Sequence, residues 1–348
     1  MPSTEIKFGV IGCGRFGKLW TQTLSAFGSV AVFDKNPIDP ASLVVPAGQT
    51  IQFLPLEQVA TASMIFLCVP ISEIDPVCRE LAPLLSPGTI VVDTCSVKVY
   101  PAKVMQAILP KNQPLIATHP LFGPDSVARL GTPGRKIVVC PLRVSTVEQD
   151  QLLSILKELQ LHIIETTADN HDRQMARSQS LVHLLGRVFA DLDLNNQEIS
   201  TPDYESLLRI NSFVNNDTWQ LFFDMQCYNP YTPLMRLTLR QSLDNLEEKI
   251  RVESETKAPD DGTFFLWRSM IEQLDHEIIQ LIAHRLNVGK RVQEYKKMRD
   301  LPVTDPEREK ELDKNYEIWM RELGISAVEP VKNVLKLLMK EVKSQNQK

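Results

Sequence analysis

The sequence predicts an α/β protein that begins with a doubly wound parallel sheet and continues as all-helical regions. Two observations predict this. Short, almost wholly apolar runs recur through roughly the first half, as in parallel strands that are buried on both faces. The strand pattern then stops near Ala168, and apolar residues follow helical spacing from there towards the C-terminus.

Composition limits the class of protein. The 348 residues are enough for two or three domains. A net charge of −5 argues against a general nucleic-acid-binding surface. The N-terminus lacks the pattern of a signal peptide, and no apolar run approaches the roughly 20 residues of a membrane span. We therefore expect a cytoplasmic protein that binds neither nucleic acid nor membrane.

The cysteines predict neither disulfides nor a metal site. None forms a C-x-x-C pair, and most lie in or beside apolar, strand-like runs. This pattern favours free thiols in a reducing compartment. The six are Cys13, Cys68, Cys78, Cys95, Cys140 and Cys227.

The first elements follow the order strand, glycine-rich turn, helix, strand, acid. Ile6–Ile11 leads into Gly12–Gly17, a G-x-G-x-x-G pattern, which an amphipathic stretch follows. Val30–Phe33 then ends at Asp34. This context favours a Rossmann-like dinucleotide-binding unit over a structural glycine turn. We assign the cofactor site to Gly12, Gly14, Arg15, Phe16, Gly17 and Asp34.

Each residue type in this motif has a physical role. Gly12 allows the tight turn, Gly14 lets the backbone approach a pyrophosphate, and Gly17 allows close packing of helix on strand. Asp34 is spaced to accept hydrogen bonds from a ribose, and its charge should repel a 2′-phosphate. NAD is therefore expected rather than NADP, although Lys35 weakens that preference.

Further strands follow at the spacing of β-α-β units, with helical stretches between several of them. Two loops at strand ends carry polar groups, and ligands of open α/β sheets bind at such ends. The predicted strands are Ile51–Leu54, Met64–Val69, Thr89–Val92, Leu115–Thr118, Lys136–Cys140 and Leu161–Glu165.

His119 stands where one strand gives way to a loop stiffened by two prolines and a glycine. A histidine in this place is suited to take a proton near neutral pH, or it merely caps the strand. In the other loop, Ser96 and Lys98 would point into the same crevice. The alternative for Lys98 is a solvated surface lysine.

From Ala168 to Val252 the pattern predicts helices that start near Asp169, with a break at Asn215–Asp217. Helical blocks after such a sheet commonly form a dimer interface and close the active site. His183 lies among leucines and valines, which by itself favours a satisfied core histidine.

Residues 253–263 are polar and predict a linker. Phe264–Met298 predicts one long helix whose apolar stripe needs partners, followed by helices at Glu307–Arg321 and Val328–Val342. The predicted domains are 1–167 for the nucleotide, 168–252 for substrate and dimerisation, the linker at 253–263, and 264–348.

Several spaced motifs in the first 246 residues resemble prephenate dehydrogenase, the NAD-dependent oxidoreductase of tyrosine biosynthesis. The resemblance implies that His119 is the catalytic base, that Ser96 and Lys98 line the substrate site, that His183 lies near the substrate and that Arg209 clamps its carboxylate. The motifs are Gly12–Gly17, Asp93–Lys98, His119–Ser126, His171–Ala176, His183, Arg209-Ile210 and Trp219.

The C-terminal segment resembles the small all-helical chorismate mutases, whose functional unit is a dimer with long helices paired across subunits. The resemblance implies that basic residues grip a dicarboxylate, that Lys296 also supports the ether oxygen, and that Asp305 and Glu309 orient the site. The basic residues are Arg268, Arg285, Lys296 and Arg308. One departure concerns the last helix, where the family offers serine and, four residues on, glutamine or glutamate. Here the matching pair is Val342 and Asn346 or, one residue along, Lys343 and Gln347.

Together the two resemblances imply a bifunctional homodimer that makes prephenate from chorismate and oxidises it with NAD. Two alternatives stay open. The substrate is arogenate or a 4-amino analogue of this series, or the C-terminal helices form a non-catalytic binding and dimerisation module.

Overall fold

The computed structural model describes residues 6–39, 43, 45, 48–256, 261–322 and 324–345. The chain divides into two compact units, residues 1–245 and 246–348. Within the described residues no helix is long and apolar enough to cross a membrane. No group of three metal-ligating side chains occurs among them either.

The first unit is built on one eight-stranded sheet with the order β3-β2-β1-β4-β5-β6-β7-β8. Neighbouring strands are parallel except for β6 and β7, which are antiparallel. The Rossmann-like fold is therefore confirmed, but the sheet is mixed rather than wholly parallel. The strands are β1 Phe8–Ile11, β2 Val30–Phe33, β3 Ile51–Phe53, β4 Met64–Leu67, β5 Ile90–Asp93, β6 Leu115–Pro120, β7 Lys136–Arg143 and β8 His162–Glu165.

Helices cover both faces of this sheet, as the apolar strands predict. Successive residues of a strand enter different cores: Phe66 packs in one cluster and Leu67 in the other, and both are buried. The helices of the first unit, the last of which runs into the second, are α1 Arg15–Ser25, α2 Leu56–Val59, α3 Ile74–Leu81, α4 Val99–Ile108, α5 Pro124–Leu130, α6 Thr146–Glu158, α7 Ala168–Arg177, α8 Gln179–Asp191, α9 Pro202–Asn215, α10 Trp219–Tyr228 and α11 Thr232–Thr256.

The region around His119 differs from the prediction of a loop. His119 and Pro120 are the last residues of β6, where His119 pairs with Val138 of β7. Pro124 occupies the first turn of α5, a position where a helix needs no N–H donor. The prolines therefore end one element and begin the next, and the histidine is held by a strand.

The predicted linker is largely helical where it is described. Residues 253–256 continue α11, and residues 261–263 begin the long helix of the second unit. Residues 257–260 of the linker lie outside the described residues. Polar residues such as Glu and Arg are good helix formers, so polarity alone was a weak sign of a break.

The second unit consists of helices α12 Asp261–Met298, α13 Pro306–Glu322 and α14 Val328–Gln345. Gly289 permits close contact of α12 with α14, since a Cβ added there would lie 2.8 Å from Val342 Cγ2. Few of the described side chains of this unit are buried, and the buried apolar ones are Tyr316, Met320 and Val342.

Candidate active site

The glycine-rich turn has the geometry of a phosphate cradle. Gly12 has φ +97°, and a Cβ there would lie 2.5 Å from Cys68 O. A Cβ on Gly17 would lie 2.0 Å from Gly12 O, so neither position accepts another residue. Gly14 precedes α1, and a Cβ there would have no neighbour within 4 Å among the described residues. The N-terminus of α1 thus faces open space, where its N–H groups favour an anion.

Asp34 lies beside this turn at the end of β2. Its Oδ2 accepts a 2.7 Å hydrogen bond from the N–H of Cys13, and its Oδ1 accepts one of 2.8 Å from Asn36. Lys35 Nζ lies 2.8 Å from Glu73 Oε2, so the charge of Lys35 already has a partner. The carboxylate is held in place, and the lysine that weakened the expectation of NAD is engaged elsewhere.

A cavity of about 900 Å³ adjoins the turn. Of the sequence-predicted residues, it is lined by Gly14, Arg15, Phe16, Ser96 and His119. Side chains from the helical part of the first unit line it too: Met175, Gln179, Asp217, Thr218, Gln220, Leu221 and Asp224. The strand ends and the helical part of this unit therefore share one cavity, and sequence reasoning missed the second group.

His119 is the buried histidine of this cavity, with 3% of its surface exposed. Its Nδ1 lies 2.8 Å from Nε2 of His171. Burial lowers the pKa of His119 well below its usual value, and His171 and Lys98 lower this pKa further. The ring is therefore neutral at physiological pH, as a proton acceptor must be.

Two residues of α7 stand behind His119. His171 Nδ1 lies 2.8 Å from Oδ1 of Asp172, which is wholly buried. Asp172 also accepts hydrogen bonds from the backbone N–H groups of Lys98 (2.7 Å) and Val99 (2.8 Å). Sequence reasoning quoted the His171-Asp172 pair as a motif but gave it no role, because its contact with His119 joins residues 52 apart in the chain.

Lys98 is neither a surface lysine nor part of the cavity lining, so the structure offers no support for its predicted substrate contact. The side chain is completely buried, and its ammonium donates to Asp93 and to Thr118 O. Asp93 is equally buried, and burial raises the pKa of its carboxyl. The end of the strand that precedes Lys98 supplies the buried acid, and the ammonium of Lys98 also bonds the carbonyl of Thr118, the residue before His119.

Arg209 is exposed, donates to Ser206 Oγ at 3.0 Å and lies outside the cavity lining. Its predicted role as a carboxylate clamp has no support in the geometry. Another arginine, Arg187, is 9% exposed, lies 4.2 Å over the ring of Trp219 and donates to Asp217 O at 2.7 Å. Its position on a helix of mixed apolar pattern carried no signal in the sequence.

His183 is buried behind the lining rather than in it. Its Nε2 lies 3.8 Å from Oδ2 of Asp217, which does line the cavity. Arg15 crosses the same end of the cavity, with Nη2 2.6 Å from Asp125 Oδ1 and Nη1 3.9 Å from Asp217 Oδ1. Asp217 therefore lies between a histidine and an arginine.

In the second unit the predicted site residues have mostly local partners. Asp305 accepts the N–H of Arg308 at 3.1 Å as an N-terminal cap of α13, and the Arg308 guanidinium pairs with Glu311. Lys296 Nζ lies 3.3 Å from Val303 O. Arg268 is exposed with its guanidinium 5.6 Å from the ring of Phe264, and Arg285 is half-buried.

A shallow groove of about 450 Å³ runs between α13 and α14, and Glu309 is the predicted residue that lines it. Lys343 Nζ lies 2.6 Å from Glu309 Oε1. Val342 instead packs on Gly289 of α12. Of the two possible registers of the last helix, the structure therefore turns Lys343 towards Glu309; Asn346 and Gln347 lie outside the described residues.

Comparisons with known families agree with both halves. Residues 35–165 match the family model of the prephenate dehydrogenase nucleotide-binding domain, and residues 267–347 match chorismate mutase type II. The chain carries a prephenate dehydrogenase nucleotide-binding domain followed by a chorismate mutase type II domain. Residues 188–261 match a TYRAAT1-like C-terminal domain.

Curated relatives cover the dehydrogenase part. Arogenate dehydrogenase 2 of Arabidopsis thaliana is 27% identical over 235 residues, which are 66% of this chain and 65% of the relative. The match to arogenate dehydrogenase 1 spans 36% of that protein, so the chain covers less than two thirds of either. The T-protein of Enterobacter agglomerans is 33% identical over 49% of this chain and 41% of its own length.

Solved structures share the fold. Prephenate dehydrogenase from A. aeolicus, solved with hydroxyphenyl propionate and NAD+, has a TM-score of 0.57 and 17% identity, over 79% of this chain and 99% of that one. Synechocystis arogenate dehydrogenase has a TM-score of 0.55 and 22% identity, over 78% of this chain and all 100% of its own. The sequence-based assignment of a dehydrogenase domain followed by a mutase domain is confirmed.

Proposed function

We propose that the first unit catalyses the NAD-dependent oxidative decarboxylation of a cyclohexadienol of the prephenate class. The observation that supports this most directly is a buried, neutral histidine in the cavity that begins at the glycine-rich turn. NAD, bound along that turn, would supply the hydride acceptor. Gly14 leaves room for the pyrophosphate, and the fixed carboxylate of Asp34 suits an unphosphorylated ribose.

The chemistry needs one base and little else from the chain. The hydroxyl proton goes to His119 while the hydride on the same carbon goes to the nicotinamide. The resulting carbonyl withdraws the electron pair of the ring-carboxylate bond, so that carbon dioxide leaves and the ring becomes a phenol after it takes up one proton. With prephenate the products are 4-hydroxyphenylpyruvate, carbon dioxide and NADH. Ser96 also lines the cavity, and we propose that its hydroxyl binds the substrate.

A second candidate substrate is arogenate, and one feature of the cavity favours it. Among the described lining residues the cationic side chain is Arg15, whose guanidinium is paired with Asp125. Two carboxylates, Asp217 and Asp224, line the same cavity. Asp224 is saturated by Ser72 and Gln220, whereas the oxygens of Asp217 lie 3.8 and 3.9 Å from their nearest cations. A carboxylate so placed suits the ammonium group that arogenate carries and prephenate lacks.

Comparison of kcat/KM for prephenate and arogenate separates the two substrates, and Asp217→Asn is the informative variant. If Asp217 binds the ammonium group, the variant loses arogenate turnover and keeps or gains prephenate turnover. Asp224→Asn is the matched control from the same cavity. Equal losses on both substrates would remove the specific role of Asp217.

We propose that the second unit rearranges chorismate to prephenate. This reaction needs no proton transfer, only a compact conformer and stabilised charge separation, which basic side chains such as Arg285 and Lys296 can provide. The competing proposal is a non-catalytic module. The Glu309–Lys343 ion pair favours it, because the pair engages the carboxylate of Glu309, which was expected to orient the site.

The proposed assembly is a cytoplasmic homodimer that acts on small molecules and binds no nucleic acid. One long face of α12 exposes large apolar residues, and nothing among the described residues covers it. Its members include Ile271, Leu274, Ile278, Leu281, Val288 and Val292, all of which are more than 45% exposed. A second copy of this helix would bury them.

One experiment tests both activities. Chorismate and NAD are added to the full chain, and NADH is followed by its absorbance. Formation of NADH requires both units to act in sequence. Consumption of chorismate without NADH, followed by oxidation of added arogenate, would assign the mutase and the second substrate. No consumption of chorismate, with NADH formed from added prephenate, would leave the helices as a non-catalytic module.

A further inference from the structure

His119, His171 and Asp172 form a row of buried side chains joined by hydrogen bonds. We propose that His171, backed by Asp172, is a positioning residue that keeps the proton of neutral His119 on Nδ1. Nε2 is then the free base that faces the substrate. This inference rests on the proposed dehydrogenase function and deepens it.

Asp172 is a hydrogen-bond acceptor at the start of a helix. Its two oxygens accept the backbone N–H groups of Lys98 and Val99, which lie at the start of α4. The N-terminus of a helix favours negative charge, and both oxygens of Asp172 act as acceptors there. A carboxylate only accepts hydrogen bonds. Nδ1 of His171, 2.8 Å from Asp172 Oδ1, is therefore the donor in that contact.

The donor role of His171 Nδ1 fixes which nitrogen of His119 carries the proton. Burial lowers the pKa of His171, so the ring holds one proton, and that proton is on Nδ1. Nε2 of His171 is then an acceptor. The 2.8 Å contact with His119 requires a donor on the other side, which is Nδ1–H of His119. Because His119 is also neutral, its Nε2 carries a lone pair.

The free nitrogen is the one the cavity can reach. His119 lines the cavity, and its Nε2 has no hydrogen-bond partner among the described residues. The other titratable groups around the row do not compete for this role. Lys98 and Asp93 pair with each other. Burial raises the pKa of the Cys140 thiol to about 12, so this thiol stays protonated.

When His119 accepts the hydroxyl proton, the hydrogen bonds of the row also stabilise the new positive charge. The imidazolium keeps its Nδ1–H bond to His171, and His171 keeps its bond to the carboxylate of Asp172. No proton needs to leave the row until the product is released. In a serine protease, a change that leaves the histidine in the wrong tautomer costs about 10⁴-fold in turnover. That case sets the upper end of the effect expected here.

Two substitutions of His171 form a matched pair. In His171→Asn the amide reaches the position of Nδ1 and keeps the contact with Asp172, but it leaves His119 without an acceptor. In His171→Gln the amide oxygen reaches the position of Nε2 and can accept from His119. His162, an exposed histidine on β8, provides the control His162→Asn.

The readouts are the ¹⁵N chemical shifts of the His119 ring and the steady-state constants. We expect Nδ1–H in the wild type, a shift towards Nε2–H in His171→Asn, and Nδ1–H again in His171→Gln. The kcat should fall at least tenfold in His171→Asn with KM changed less than twofold, and less in His171→Gln. His162→Asn should change neither readout.

Each readout can overturn the proposal. A wild-type His119 with its proton on Nε2 contradicts it before any variant is made, and so needs no variant to fold. Equal losses of kcat in both His171 variants with an unchanged tautomer would make His171 merely structural. A wild type that oxidises no cyclohexadienol would reject the proposed function instead, and the ring shifts would still decide the tautomer.

Discussion

The two units arrange their polar groups in opposite ways. In the dehydrogenase unit, His119, His171, Asp172, Lys98 and Asp93 are buried and joined by hydrogen bonds between different strands and helices. In the mutase unit, the predicted residues are exposed or half-buried and mostly bond within one turn of their own helix. The first arrangement is preorganised within one chain. The second arrangement is not preorganised among the described residues of one chain.

The largest expected effect is the loss of turnover when the buried network of the first unit loses His119. His119→Asn removes the proposed base but keeps a side chain of similar shape at the end of β6. We expect turnover to fall by about 10²- to 10⁴-fold, the range of general acid–base catalysis, with NAD binding retained. Stopped-flow turnover and NAD titration by fluorescence measure the two. Near-normal turnover in this variant would end the assignment of His119.

The next effect is on stability. Lys98→Met leaves the buried carboxyl of Asp93 without its cation, and loss of one partner of a buried ion pair typically costs about 3–5 kcal/mol. Urea unfolding of the first unit measures this loss, and Asp93→Asn in the same chain should recover part of it. The matched control is Arg79→Gln in the same unit, which breaks an exposed pair with Asp75 and should change little. Equal losses of unfolding free energy in both variants would show that the buried ion pair stabilises the fold no more than an exposed one.

The pH profile sharpens the comparison without any substitution. Because burial holds the pKa of His119 well below 6.5, the base stays neutral down to mildly acidic pH. The kcat/KM of the dehydrogenase should therefore be flat through pH 7 and fall only as the pH drops below 6.5 through the lowered pKa. An acid limb centred at or above pH 6.5 in wild-type initial rates would mean that the ring is not desolvated.

The smallest effect concerns the mutase unit. Lys343→Ser removes the cation from Glu309 and places a hydroxyl where the resemblance expects one. We expect chorismate turnover to rise about two- to fivefold, since an exposed ion pair is worth at most about 1 kcal/mol. Lys340→Ser on the same groove is the control. A fall in turnover would instead assign Lys343 itself to the substrate.

The sequence was sufficient to predict the Rossmann-like sheet because its signals are local. Near-continuous apolar strands and three glycines at fixed spacing need no knowledge of distant contacts. The antiparallel turn from β6 to β7 was missed, because a buried strand has the same composition in either direction.

The site was predictable only in part, for a related reason. Ser96 and His119 line the cavity because Ser96 follows closely after β5 and His119 lies at the end of β6. The burial of Lys98 could not be predicted, because it depends on Asp93 of β5 and Thr118 of β6, which come together only in the folded sheet. Arg209 was carried by resemblance alone, and the structure leaves it exposed.

Asp172 joins two tasks that usually fall to separate residues. It docks α7 on the start of α4 through two backbone hydrogen bonds, and it orients the histidine behind the base. Any opening that moves α7 away from α4 breaks both at once. Loss of the Asp172 carboxylate would therefore weaken the packing of α7 on α4 and remove the acceptor of His171 Nδ1 in a single change.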